Sequence, residues 1–308
     1  MRSLAFSDTY LQPDAPDPLL NEEVVVGSAR RHAPAAGRLL QIDESGGEAR
    51  AYLLEGGIVM KTQRPHRLRP RTSLEKEALF LAELERHGNI HVPRALGHGH
   101  VEGIEYICLT RVPGVTVAKV TLSAARRVTV LEELGRTMRS IHEIDQSRLA
   151  ESDLLPGDRS AADLTTRFAR LFDQLAASLD STDSWHDCLN VGEIAAARLQ
   201  LTPTDTPPVA LHSNPGPEHT FVDPLTAQLT GLIDFGDAYR SHPALDLRTW
   251  TDPADARALL AGYESIGTLP PSFKDVLRTG QILIELTRAV KRQRTTEQTT
   301  ANLKRLLN

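Results

Sequence analysis

Residues 212–246 read HSNPGPEHTFVDPLTAQLTGLIDFGDAYRSHPALD. Two polar clusters stand out, one around Asn214 and one around Asp234, each at the edge of a short β-type run. Between them the chain turns at Asp223-Pro224. A β-loop-β unit of this kind brings both clusters to the same end of a small sheet. A carboxylate, a histidine and an amide converging there could hold a metal ion and a phosphate.

Outward from this stretch the texture is uneven. Towards the N-terminus, Arg38–Ile42, Ala49–Leu54 and Ile58–Thr62 are short apolar runs. Glu44-Ser45-Gly46-Gly47 and Glu55-Gly56-Gly57 separate them, and such glycine pairs allow tight reversals, so the pattern predicts a three-stranded meander. Ser73 suits a helix N-cap, and Leu74, Ala78, Leu81 and Leu84 follow helical spacing to about His87. Ala95–Gly99 and Ile104–Leu109 read as a hairpin, and Val112-Pro113-Gly114 ends the strand-rich part. Helical patterns then run over about Ser123–Ile144, Ala161–Leu179 and Glu193–Leu199. Short β-type runs return at Val209–His212, Thr220–Val222 and Leu229–Ile233, and the remainder is helical apart from a break at Pro270-Pro271. The expected class is α+β in two lobes, a small antiparallel sheet over residues 1–113 and a mainly helical lobe over residues 114–308. The first 18 residues read as an irregular arm, and Leu19–Arg31 as a helix.

Composition narrows the function. The formal net charge is −5, which gives no electrostatic support for a nucleic-acid partner and suits a cationic small molecule. Two cysteines, Cys108 and Cys188, make neither a disulfide framework nor a zinc spacing. No apolar run approaches the roughly 20 residues that span a membrane. The opening residues lack the apolar core of a signal peptide, so a cytoplasmic setting without membrane association is the expectation. The basic cluster Lys291, Arg292 and Arg294 reads as a solvated helix face.

In order and spacing these segments resemble the aminoglycoside phosphotransferase family and its protein-kinase-like relatives. His212-Ser213-Asn214 resembles the family's His-Gly-Asp catalytic loop, and His219 stands five positions after Asn214, where a metal ligand is expected. Ile233-Asp234-Phe235-Gly236-Asp237 is similar to the Asp-Phe-Gly motif, and Pro243-Ala244-Leu245-Asp246-Leu247 to a Pro-x-x-Asp-Leu segment whose Asp braces the catalytic loop. Lys61 resembles the phosphate-contacting lysine of the third strand, and Glu77 its helix partner. Thr110, Arg111 and Val112 resemble the hinge that receives the nucleotide base. Ser45, Gly46 and Gly47 are all that remains of a phosphate-covering glycine loop.

The resemblance implies direct phosphoryl transfer from ATP or GTP to a small hydroxylated acceptor. Catalysis would rest on positioning and charge neutralisation. Lys61 would hold the α- and β-phosphates, and Asp234 with His219 would hold Mg²⁺. Read alone, Lys61 is an ordinary strand-end lysine and Glu77 a helix-face carboxylate; the site reading comes from their company. A protein kinase is a weaker reading, since no activation segment ending in Ala-Pro-Glu is visible.

The departure is Asn214, at the position of the catalytic base. A carboxylate can accept the proton of the acceptor hydroxyl; an amide can only accept a hydrogen bond. Two accounts stay open: a natural chain with lost or reduced activity, or an engineered Asp→Asn replacement that traps a bound substrate. A binding protein without turnover is the alternative function. For a cationic acceptor, Asp237, Asp187 and Asp252 are the candidate partners, with Glu193, Asp255 and Glu264 behind them.

Overall fold

The computed structural model describes residues 10–70, 72–88, 90–179, 186–201, 206–291, 293 and 295–307. The first part of the chain is built on five antiparallel strands: β1 (Leu39–Asp43), β2 (Ala49–Leu54), β3 (Ile58–Gln63), β4 (Ala95–Val101) and β5 (Ile104–Thr110). Their order across the sheet is β1-β2-β3-β5-β4. Period-two alternation gives this sheet two different faces. Tyr52, Leu54, Ile58 and Met60 point to one side and bury against Val25, Val26 and Ala29 of helix α1 (Glu22–Arg30). Lys61 therefore points to the other side, with Val59, towards α2 (Leu74–His87). On that side Phe80, Leu81 and Leu84 of α2 meet Ile107 and Leu109, and this core runs on into the second part of the molecule.

Local chemistry explains the start of α2. Ser73 accepts a hydrogen bond from the Lys76 amide, and Glu75 and Glu77 occupy the positive end of the helix. The arm before α1 is irregular over residues 10–18, as expected, but it is pinned. Asp17 takes hydrogen bonds from Arg50 at 3.0 Å and Arg64 at 2.5 Å. Residues 1–9 lie outside the described part, as do Arg292 and Arg294 of the basic cluster.

The second part is mainly helical: α3 (Ala124–Glu143), α4 (Ser147–Glu151), α5 (Ala161–Ser178), α6 (His186–Leu201), α7 (Pro253–Glu264), α8 (Phe273–Val290) and α9 (Thr296–Leu307). Among them lie β6 (Val115–Thr116), β7 (Val209–Leu211), β8 (Thr220–Val222), β9 (Leu229–Leu232) and β10 (Tyr239–Ser241), forming a three-stranded sheet β6-β8-β9 and a pair β10-β7. Asp223 closes the β8–β9 turn by accepting the Leu225 and Thr226 amides, each at 2.8 Å. The architecture is thus the expected bilobal α+β one. Two details were not legible beforehand. α6 begins at His186, seven residues earlier than the apolar pattern suggests, and Cys188 in its first turn is buried. β6 and β10 are so short that only their partners make them strands. Both cysteines are buried free thiols, and no helix among the described residues is long and apolar enough to cross a membrane.

Helices α3 and α7 approach with their backbones nearly touching. A Cβ on Gly262 would lie 1.9 Å from the Glu132 carbonyl oxygen, and one on Gly135 would lie 2.1 Å from the Leu259 carbonyl oxygen. Neither carbonyl can yield without moving its helix. Gly262→Ala is expected to lower stability by about 1–3 kcal/mol, the usual cost of overpacking. Thermal melts read this directly, and an unchanged melting temperature would show that the helices can part at no cost.

Candidate active site

The 212–219 loop is held from below. His212 is fully buried, and its Nε2–H donates to the Ile233 carbonyl at 2.9 Å. Its other nitrogen, Nδ1, accepts the Asn214 amide at 3.3 Å. Asp246, also fully buried, accepts the His212 amide at 2.8 Å, the Ser213 amide at 2.7 Å and His142 Nε2 at 3.0 Å. Burial works to raise the Asp246 pKa, but these hydrogen bonds, with the nearby histidines, outweigh it and hold the group below the usual carboxylate range. Trp250 donates its indole N–H to the Pro215 carbonyl at 2.9 Å. Ser213 sits at φ +86° and Asp234 at φ +75°, left-handed conformations that cost a non-glycine residue free energy. Both loops therefore carry strain that the buried network beneath them holds.

At the other cluster, Lys61 joins three elements. Its ammonium donates to Glu77 Oε2 at 2.8 Å and also to Asp234 Oδ1. Glu77 has no exposed side-chain surface; its second oxygen accepts the Phe235 amide at 3.3 Å. Burial disfavours the charged lysine, but the Asp234 and Glu77 carboxylates outweigh it and raise its pKa. Burial likewise works to raise Asp234, and Lys61 and His219 overcome it and lower it. His219 Nδ1–H donates to the Asn214 carbonyl at 2.8 Å, so Nε2 presents its lone pair outward, 3.4 Å from Asp234 Oδ2. Phe235 packs under the site, against His212 and edge-on to Phe80. The Asn214 side chain is exposed at the mouth of this arrangement.

The other expected residues fall in different places. Thr110 and Arg111 spend their backbone N–H groups on Arg94 and Gly57. Val112 has no hydrogen-bonded partner for its own among the described residues. In the β1–β2 turn the Ser45 amide is capped by Asp43 at 2.9 Å, and Gly46 is required because a Cβ would meet the Ala49 carbonyl at 2.7 Å. Asp237, the first candidate partner for a cationic acceptor, already has partners within the chain. Its oxygens accept from Arg69 at 2.6 Å and Thr72 at 2.9 Å, both from the strand-rich part, because Gly236 is drawn against the start of α2. Asp252 is the N-cap of α7, accepting the Ala254 and Asp255 amides. Asp255 is paired with Arg127 at 2.6 Å. Asp187 lies in α6, and its side chain is outside the described residues. Glu264 borders a surface depression of about 620 Å³, where Lys274 neutralises it at 3.1 Å, remote in sequence from every group above.

Buried histidines give the fold a defined response to acid. Burial lowers His212 from 6.5 to about 4, and His242 likewise to about 4. The unfolded chain binds protons at these positions near pH 6.5, whereas the folded chain resists until about pH 4. Stability from keeping them neutral is complete above pH 6.5 and is lost as pH falls to about 4. Melting temperature should fall across this window, and His242→Asn should flatten part of the fall. Identical curves for the two proteins would show that His242 plays no part.

The same geometry has relatives. The sequence model described as "Phosphotransferase enzyme family" matches residues 40–274. An aminoglycoside 3'-phosphotransferase of Streptomyces fradiae is 27% identical over 202 residues, 63% of this chain and 72% of that protein. A GDP complex of aminoglycoside 2'-phosphotransferase-IIIa superposes with a TM-score of 0.64 at 17% identity, covering 94% of this chain and 98% of that one. A macrolide 2'-phosphotransferase from Brachybacterium faecium superposes with a TM-score of 0.61 at 21% identity, covering 91% and 98%. These solved structures share the fold, and the sequence match over 40–274 goes further: the chain belongs to the phosphotransferase enzyme family.

Proposed function

We propose that this chain binds ATP or GTP between a strand-rich lobe, residues 1–113, and a helical lobe, residues 114–308. It transfers the γ-phosphate to a hydroxyl of an aminoglycoside or similar small hydroxylated metabolite, with low turnover because position 214 is an amide. The observation that carries this reading is the Lys61 ammonium held between Glu77 and Asp234, beside the Asn214–His219 loop. GDP is bound in one solved relative and GDP with kanamycin in another.

Each residue then has a task. The base lies against the hinge, where the Val112 N–H is available to a purine edge. The β1–β2 turn at Ser45, Gly46 and Gly47 covers the phosphates. Lys61, steadied by Glu77, holds α- and β-phosphate oxygens. The cluster sets one lysine charge against two carboxylates, so its surplus negative charge and outward-facing donors fit a divalent cation. Asp234 and His219 would hold Mg²⁺, with phosphate oxygens and water completing the preferred oxygen-rich shell. When bound, that ion supplies charge neutralisation along the phosphates. Asn214 orients the acceptor hydroxyl through its amide oxygen but takes no proton.

Two measurements check this. Lys61→Ala and Asp234→Ala should each weaken nucleotide binding or turnover severely, with metal dependence lost in the second. His219→Ala should do less damage, because imidazole is the poorer ligand for magnesium. Unaltered metal titrations of Asp234→Ala would move the metal site elsewhere. Asn214→Asp should raise phosphoryl transfer by about 100- to 10,000-fold, the usual contribution of a general base. If it stays silent with every acceptor that binds, the chain is a nucleotide- or ligand-binding pseudokinase without turnover.

A further inference from the structure

The turn between β1 and β2 ends at Glu48, the residue before Ala49 of β2. Within the turn the ties are local: Asp43 caps the Ser45 amide, and the Gly46 carbonyl accepts from Arg64 at 3.5 Å. The Glu48 side chain instead leaves the turn for the segment before α2. There Thr72 Oγ1 lies 2.6 Å from its Oε2, and Arg69 Nη2 meets its Oε1. From the helical part Asp237 comes to the same two residues. Its Oδ2 lies 2.6 Å from Arg69 Nη2, and its Oδ1 lies 2.9 Å from Thr72 Oγ1. All three charged side chains are largely buried. Among the described residues no hydrogen bond joins the turn to the Asp234 loop directly; Arg69 and Thr72 make the connection.

The two donors are not equal. A hydroxyl carries one proton, so Thr72 serves Glu48 or Asp237 at any moment. Arg69 Nη2 carries two N–H groups and shares a full positive charge, so it serves both at once. Without that charge, two largely buried carboxylates face each other across one hydroxyl, which like charges oppose. Burial and Asp237 already push Glu48 above the usual carboxylate range, in spite of Thr72 and Arg69. We infer that Arg69 is a positioning residue for nucleotide binding: through Glu48 and Asp237 it fastens the turn over the phosphates to the loop that carries Asp234. This inference rests on the phosphotransferase reading above and adds to it how the phosphate-covering turn is held. The hinge at residues 110–112 shares no hydrogen bond with this network among the described residues, so a nucleoside without phosphates does not sense it.

Calorimetric titration of the full chain tests this. Mg²⁺-ADP and Mg²⁺-GDP are the probes with phosphates, and adenosine and guanosine the probes without. Arg69→Met should raise the nucleotide Kd by about 10-fold, within the range for coupled charged groups, and leave the nucleoside Kd within about twofold. Adding Glu48→Gln to Arg69→Met should recover most of that loss, because it removes one of the two facing charges. Asp237→Ala cuts the same link from the helical part and should show the same selective loss, which keeps the test decisive if thermal melts show that Arg69→Met does not fold. An unchanged nucleotide Kd in either folded single variant, an equal loss for nucleotide and nucleoside, or no recovery in the double variant would each overturn the inference. In those cases the natural chain still binds nucleotide, and the phosphotransferase reading stands. A natural chain that binds no nucleotide removes that reading, and the inference falls with it.

Discussion

One ammonium group sets the geometry of the molecule. Lys61 comes from the middle strand of the first sheet, Glu77 from the helix that crosses it, and Asp234 from a loop of the helical part. A carboxylate buried as completely as Glu77 is costly unless it is paired, and breaking such a pair costs about 3–5 kcal/mol. So α2 cannot slide along the sheet without stranding that charge. The second oxygen of Glu77 reaches the Phe235 amide, and Phe80 of the same helix packs on the Phe235 ring. The pairing that orients α2 therefore also fixes the backbone beside Asp234.

A second constraint, centred on Asp246, acts from the opposite side. Its carboxylate gathers the amides of His212 and Ser213 and the imidazole of His142, while His142 in turn meets Tyr263 of α7. This places Ser213 in a left-handed conformation that most side chains avoid. Each such residue costs of the order of 1–3 kcal/mol, and the buried network offsets it. The family motif has glycine at this position, where the same backbone would be free of that cost. The two networks meet at the His212 Nε2–H bond to Ile233, one residue before Asp234.

The elements themselves were readable because their signals are local. α2 and β2 match their expected bounds, since a capping serine and alternating burial are written in consecutive residues. The positions of Lys61, Glu77, Asp234 and His219 relative to one another came only through the resemblance, because contacts over this sequence separation leave no periodicity to read. The acceptor side left the weakest signal in the sequence. Asp237 looked suitable by its place after the motif glycine, but Arg69 and Thr72 claim it, and nothing local to residues 69–72 announces that contact.

Asn214 shows why such a position can change without trace in the fold. Everything that residue 214 contributes to the loop comes from its backbone: the N–H goes to His212 Nδ1 and the carbonyl to His219 Nδ1. Its side chain is exposed and touches neither network. Aspartate and asparagine have the same shape, so the backbone geometry and packing of the loop admit either one. They differ in charge, in the amide's N–H donors and in whether a proton can be taken up at that oxygen. The loop can thus keep its scaffold with either residue at position 214. For the same reason the resemblance to the family survives intact around the residue that departs from it.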